Sequence, residues 1–462
     1  MEEYATKLRK QKRNQQITSK RTMRSNIEDT INDERLRQLL NDINPLLVDT
    51  LIDTTKSKEE SITYTFEILD KQDLEHQKAL LIFIRKVLSR GEKYLGTYIF
   101  KKGYLPKLLK YLEGYEEEIY LNMAWALTNI VADSDDAIRY LRAYNIHYIL
   151  VDIAIKGNNK VKEQTLWILG NIISESIQSR DELLSTPLVE TLIDIVSMEA
   201  LSLSFLNVTC WVISMLCKGK ESPAVERVKG FFPLLARLIH IDETSIVSDV
   251  LWTFAYLTAS NKSFIPFTLE HLSINNIFSL IKNPDLAIKR PCTRIIGNIC
   301  LGDSKYIDDI LNNESTPSIF NALLNETESE LIRETAWCIS NIAADSKNRV
   351  DYLISIEMVS TLALVLKKAA LPAVQKEVFW CLANMIKKSN YTQIMQLINQ
   401  GIMELITEFL AFNDVQFAEI AVNLIEVMLR SGAKAGGVNK HAARFEEIGG
   451  TNMLELLQYK VY

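Results

Sequence analysis

The segment AWALTNIVAD at 124–133 returns, altered but in phase, along most of the chain. LWILGNIISE follows at 166–175, CWVISMLCKG at 210–219 and LWTFAYLTAS at 251–260. TRIIGNICLG stands at 293–302, AWCISNIAAD at 336–345 and FWCLANMIKK at 379–388. All six tryptophans, Trp125, Trp167, Trp211, Trp252, Trp337 and Trp380, fall on this phase. Their first separations are 42, 44 and 41 residues, the next is 85 and the last 43. The long gap is two periods, with Arg294 where a Trp would stand. The same phase picks out IFIRKVLSRG at 82–91, with Phe83 in the Trp place, and VNLIEVMLRS at 422–431, with Asn423 there, for nine units in all.

Each unit reads as a helix. In the first segment Ala124, Leu127 and Val131 share one face with Ile130 beside it, and Trp125 and Asn129, four apart, stack on another. Polar breaks at Gly157-Asn158-Asn159, Asn283-Pro284-Asp285 and Asn325-Glu326-Thr327 read as turns between units. A period of about 42 residues is that of armadillo or HEAT repeats. The pattern predicts an all-α chain, a right-handed superhelical solenoid of about nine to ten armadillo repeats, whose apolar faces merge into one core. The Trp/Asn face is expected to stay open.

Composition agrees with this class. The chain has 462 residues, 47% hydrophobic and 24% charged, with only 10 prolines and 16 glycines. No run of about 18 apolar residues stands out as a membrane span, and the N-terminus carries no apolar stretch of signal-peptide type. The six cysteines show no C-x-x-C spacing and the five histidines complete no zinc pattern, so buried reduced thiols are expected, without cofactor or metal. No phosphate-binding, metalloprotease or nucleophile-elbow motif is present, and an enzyme is not expected. Charge is uneven. Residues 1–24 carry eight basic and two acidic groups, a net +6, against −12 for the rest. The body should attract cationic ligands and repel nucleic acid.

The recurring Asn decides how the open face is read. Asn follows Trp at the fourth place in Trp125/Asn129, Trp167/Asn171, Trp337/Asn341 and Trp380/Asn384, and Asn298 keeps the phase after Arg294. A buried amide without partners costs about 1–3 kcal/mol, which favours a ligand on the other side; a ladder of Asn side chains between repeats is the alternative. An Asn amide suits one peptide unit of an extended chain. A lysine stem suits a slot between indoles, with a cation–π contribution of about 0.5–2 kcal/mol. Glu175, Asp249, Glu334 and Glu377 are placed to meet the cationic head. Helices about 10 Å apart match about three residues of extended peptide per repeat.

In order along the chain, AWALTNI, LWILGNI, CWVISMLCKGK, IIGNICLGD, ETAWCISNIAADS and KEVFWCLANM resemble successive repeats of the importin-α (karyopherin-α) family. NKHAARFEEIGGTNMLELLQ at 439–458 resembles its terminal region. The resemblance implies a nuclear import adaptor that binds mono- or bipartite basic localisation signals and links them to importin-β. The major cargo site would use Trp125, Asn129, Trp167, Asn171, Glu175, Trp211, Asp249 and Trp252. The minor site would use Arg294, Asn298, Glu334, Trp337, Asn341, Glu377, Trp380 and Asn384. Tyr256 and Arg294 stand where the family interrupts its array between the two sites. KLRKQKRNQQITSKRT, at 7–22, resembles part of the importin-β-binding segment. Lys7, Arg9, Lys10, Lys12, Arg13, Lys20 and Arg21 would serve it and, in the free protein, occupy the groove as an autoinhibitor. Further implied partners are an export receptor and nucleoporins, and the implied location is shuttling between cytoplasm and nucleus.

The organisation expected is thus a basic segment at 1–24, a linker and lead-in at 25–70, and a repeat domain at 71–462 with a shortened C-terminal end. Departures from the family pattern fall mostly in the major site. Met215 replaces the Asn after Trp211, Glu175 replaces an Asp, Asp133 replaces a Gly, and Ala259 replaces an acid. The segment before Lys7 lacks the family's earlier Arg cluster, and the four residues after Gln458 hold no acidic group where the family usually continues into an acidic tail; in the family these parts bear on importin-β binding and on recycling. A catenin-like scaffold is the competing class; its grooves are lined by Lys and Arg for acidic partners, where this face carries Trp, Asn and acids.

Overall fold

The computed structural model describes residues 34–52, 57–89, 94–114, 116–368, 371–411, 414–433 and 438–460. Among these residues every regular element is helical. One long helix recurs per period: α1 (Leu74–Ser89), α2 (Glu117–Asp133), α3 (Asn159–Ile173) and α4 (Leu203–Leu216) in the first of two compact units. The second unit holds α5 (Thr244–Ser260), α6 (Leu286–Ile299), α7 (Ser329–Asp345), α8 (Pro372–Lys388) and α9 (Val415–Ala433). Within each unit, successive long helices pack directly on one another. Two shorter helices separate consecutive long ones, as Asp135–Ala143 and Ile146–Lys156 do between α2 and α3. Three helices per repeat is the armadillo arrangement that the period predicts, and the chain is an all-α repeat solenoid.

The breaks between helices come from local chemistry. Ser134 ends α2 and caps the next helix, its Oγ accepting from the Ala137 N–H at 3.2 Å. Asn158, in the first predicted break, caps α3 by accepting from the Val161 N–H at 3.1 Å. Asp285, in the second, caps α6 through the Ala287 N–H at 2.8 Å. Asn325, in the third, closes the helix Thr316–Leu324.

The predicted inner face of α2 is core: Ala124, Leu127, Ile130 and Val131 are all buried. In α1 the Trp-phase residue Phe83 is also core rather than surface. Residues 45–68, expected as linker and lead-in, form the helices Pro45–Ile52 and Lys58–Ile68, which pack on α1. The terminal motif has a structural role as well. Asn439 Nδ2 donates to the Leu429 carbonyl at 2.9 Å, and His441 Nδ1 meets the Met428 carbonyl at 2.9 Å, satisfying carbonyls of the last turns of α9. Gly432 is required there, because a Cβ would lie 2.8 Å from the His441 ring. All six cysteines are buried thiols, and burial pushes the Cys300 thiol up to about 12. No helix among the described residues is long and apolar enough to cross a membrane.

Candidate peptide-binding faces

The repeated Asn does two things. Its side chain reaches back to the preceding repeat, so the ladder left open by the sequence exists. Asn129 Nδ2 donates to Ser89 Oγ at 3.3 Å, and Asn341 Nδ2 to the Gly297 carbonyl at 3.2 Å. Asn384 Nδ2 donates to the Ser340 carbonyl at 3.2 Å and to its Oγ at 3.0 Å. Asn298 is the extreme case. It is 3% exposed, and both its N–H bonds go inward, to the Ala255 carbonyl at 2.9 Å and Thr258 Oγ1 at 3.0 Å. By contrast Asn129, Asn341 and Asn384 are half-buried, so each amide is oriented by the fold and still reaches the surface.

The indoles are likewise not uniform. Trp125, Trp167, Trp252, Trp337 and Trp380 are half-buried, but Trp211 is only 2% exposed. The expectation of an open face therefore fails at Trp211, Asn171, Asn298 and Glu334, all of which are buried. The cause at Trp211 lies one repeat earlier. Gly170 has no side chain, and a Cβ there would overlap the Trp211 ring. Trp211 settles over that glycine and against Trp167, with ring centroids 5.3 Å apart. Gly297 plays the same part beneath Trp337. The glycine of the GN pair is thus the seat for the next repeat's Trp.

In the first unit the remaining groups are engaged with the protein itself. The Arg85 guanidinium lies 4.8 Å from the Trp125 ring centre. Glu175 accepts from Ser179 Oγ at 2.9 Å and faces Arg142 at 3.5 Å and Arg139 at 3.9 Å. Arg142 also grips Glu182 with two bonds, at 2.9 and 3.1 Å, which holds the Glu182 carboxyl below its ordinary range. Met215, in the Asn place after Trp211, is buried.

In the second unit Asp249 and Trp252 are half-buried on α5, and Tyr256 stacks on Trp252 at 5.6 Å, an aromatic platform in place of the Asn. On α6 and α7, Arg294 pairs with Glu334 and lies 5.2 Å from the Trp337 ring centre. Glu334 is 3% exposed, so its charge is answered from within. Glu377, on α8, is less well matched. Its nearest cation is Arg333 at 3.8 Å, and Arg333 also bonds Glu330. Burial raises the Glu377 carboxyl above its ordinary range, against the pull of Arg333 and Arg294. Trp380 touches Phe417 edge-on at 5.7 Å, with the Lys387 ammonium 5.9 Å from its ring.

Arg85, Arg333, Gly170 and Gly297 shape these faces and escaped the sequence reading. Only the glycines carried a signal, as the residue before Asn in LGN and IGN. Lys7, Arg9, Lys10, Lys12, Arg13, Lys20 and Arg21 lie outside the described residues.

No protein-family model matches the chain. Curated relatives do. "Importin subunit alpha-1b" of Oryza sativa subsp. japonica is 26% identical over 413 residues, 87% of this chain and 76% of the relative. "Importin subunit alpha-3" of Arabidopsis thaliana is 24% identical over 394 residues, 84% of this chain and 74% of the relative. Among solved structures, an engineered protein determined by the Northeast Structural Genomics Consortium superposes with a TM-score of 0.73 at 19% identity, over 85% of this chain and 93% of that one. That likeness concerns the fold. Three-helix repeats of this kind, with a Trp/Asn stripe, define an armadillo-repeat protein. Within that class, the curated relatives that the chain is similar to are importin-α subunits.

Proposed function

We propose that this protein is a nuclear import adaptor. Lys- and Arg-rich localisation signals of cargo lie along its Trp/Asn faces, and residues 1–24 link it to importin-β. The observation that carries this is the placement of acids. Asp249 and Glu377 each stand three residues before a Trp, on the same helical face, and the second of these indoles, Trp380, has Asn384 four residues further on. An indole offers an apolar wall with a negative face, Asn offers backbone bonds, and the acid favours a cationic head. An acidic peptide finds no such match. The names of the curated relatives, importin subunits, support the same reading.

The basic segment supports two further proposals: association with importin-β, and competition with cargo when importin-β is absent. Tethering raises its effective concentration to as much as the mM range. An export receptor and nucleoporins are the remaining proposed partners, and shuttling between cytoplasm and nucleus is the proposed location.

The test is a titration of a fluorescent Lys/Arg-rich peptide at physiological salt, against the intact chain and against residues 25–462. The shorter form is expected to bind more tightly. The double variant Trp337→Ala, Asn341→Ala is expected to lose most of that affinity. Unchanged binding in the double variant overturns the site on α7. Preference for an acidic peptide overturns the adaptor reading in favour of a scaffold.

A further inference from the structure

Arg142 has two carboxylates within reach and is bonded to one of them. Its Nε and Nη2 donate to Glu182 at 3.1 and 2.9 Å, a two-bond grip. Gln178 Nε2, one turn earlier, steadies the same carboxylate at 3.2 Å. The remaining nitrogen, Nη1, stands 3.5 Å from Glu175. Arg139 brings a second cation to 3.9 Å from Glu175, but its Nη1 is 2.6 Å from Asp136 and its side chain is 61% exposed. At these lengths the arginines share charge with Glu175 without a good hydrogen bond to it. The bond that Glu175 does accept is a neutral one, from Ser179 Oγ at 2.9 Å. His147 lies 3.8 Å from Glu182, and burial pushes it towards its neutral form, which leaves Glu182 to Arg142.

Glu175 is the acid that prolongs the first unit's stripe. It follows Trp167 and Asn171 at successive steps of four, just past the end of α3. A cationic head that reaches Glu175 meets a charge that Arg142 already shares. Glu182 decides how large that share is, because both its oxygens hold the guanidinium back. A cavity of about 310 Å³ beside the cluster, lined in part by Arg139, Arg142, Gln178 and Glu182, gives the arginine room to shift between the two acids. The second unit repeats the arrangement with other residues. Arg333 bonds Glu330 through two nitrogens, at 3.2 and 2.5 Å, and stands 3.8 Å from Glu377. Arg142 comes from a short helix and Arg333 from the long helix α7, so the likeness is one of charge geometry and not of repeat position.

Resting on the adaptor reading above, we infer that Arg142 is an internal rival of the basic peptide for Glu175, and that Glu182 sets the strength of the rivalry. Arg142 and Glu182 are positioning residues: they act on the peptide through Glu175. When a lysine or arginine head arrives, Arg142 gives up its share of Glu175 and keeps its two bonds to Glu182. Affinity at the first unit is therefore tuned by an ion pair that lies outside the stripe.

The experiment uses the intact chain and a fluorescein-labelled Lys/Arg-rich peptide, read by anisotropy at physiological salt. Arg142→Gln should tighten binding by about threefold, and Glu182→Gln, which frees Arg142 for Glu175, should weaken it by about as much. Both effects should vanish when Glu175→Gln is already in place, because the coupling runs through that carboxylate. Circular dichroism reports whether each variant folds, and the nearly isosteric Glu182→Gln keeps the test decisive if Arg142→Gln does not. A change of the same size in the Glu175→Gln background overturns the inference, since the general field of the first unit would then explain it. Unchanged or weaker binding by a folded Arg142→Gln overturns it as well. Either result leaves the adaptor reading intact, whereas absence of binding by the unmodified chain overturns that reading itself.

Discussion

The Trp167–Trp211 pair and the Trp337–Trp380 pair are written in nearly the same letters and end in different states. In the first unit the indoles close on each other at 5.3 Å; in the second Trp337 has Arg294 over its ring and Trp380 meets Phe417 edge-on. The glycine seats do not make this difference; the residue in the Trp place of the repeat before does. Gly170 precedes Asn171 and Gly297 precedes Asn298, and both glycines seat a Trp of the following repeat. What differs is the neighbour of each seated ring. Trp211 meets another Trp, whereas Trp337 meets Arg294, which Glu334 holds in place. A Trp in a repeat array is therefore a wall or a filling according to what stands beside it. The helix it belongs to does not decide.

The strongest way to break the comparison is to fill the seats. Alanine at Gly297 would overlap the Trp337 ring and lie 2.8 Å from the Cys338 sulfur, and overpacking of this kind costs about 1–3 kcal/mol. Gly170→Ala should cost a similar amount through Trp211. Thermal melts should show both losses, and peptide anisotropy should separate them. Gly297→Ala displaces the half-buried Trp337 ring and weakens binding, and Gly170→Ala leaves binding nearly unchanged. Equal weakening by both would show that the two pairs act alike.

A smaller effect separates the two uses of Asn. Asn298 spends both N–H bonds inside the fold, so Asn298→Ala should destabilise by about 1–2 kcal/mol, with little effect on peptide affinity beyond that. Asn341 makes one longer bond and is half-buried, so Asn341→Ala should cost less than about 1 kcal/mol in stability and show mainly in binding. A chemical-denaturation series beside the anisotropy series reads both. The reverse pattern would mean that the ladder, and not the guest, explains Asn341.

The smallest effect is on pH. Burial raises the Glu377 carboxyl, and a bound cation favours its charged form. Binding therefore expels the proton, and affinity should fall as pH is lowered from about 7 towards about 5, starting above the ordinary glutamate range. Glu377→Gln should bind more weakly at neutral pH and lose most of this dependence. A variant that keeps the full dependence would place the titrating group elsewhere.

Most of the fold was legible because one period governs all six tryptophans, and because the breaks at Asn158, Asp285 and Asn325 carry their own capping chemistry. The Trp/Asn stripe was legible for the same reason, as an i, i+4 pattern on one helix. What the pattern could not carry is contact between repeats. Phe83 sits in phase with Trp125 and is core, and Arg85, two residues on, is the side chain that reaches the Trp125 ring. The burial of Trp211 depends on Gly170, and the pairing of Arg294 depends on Glu334, each a full repeat away. Phase alone weighs every repeat equally, and these long-range contacts are what distinguish them.

Because Trp211 rests on Gly170 and Trp337 on Gly297, each a glycine of the repeat before, neither of these repeats owns its share of the face. Ring and seat are inherited from different copies, and only adjacency makes them a pair. Deleting one whole repeat would leave every helix with its caps and core yet bring strangers together at the new junction. Removal of the α6 repeat, for instance, would set Trp337 against Tyr256 and Ala255 in place of Asn298 and Gly297. The array thus stores its specificity at its joints, and repeat duplication or loss rewrites recognition without altering a single helix.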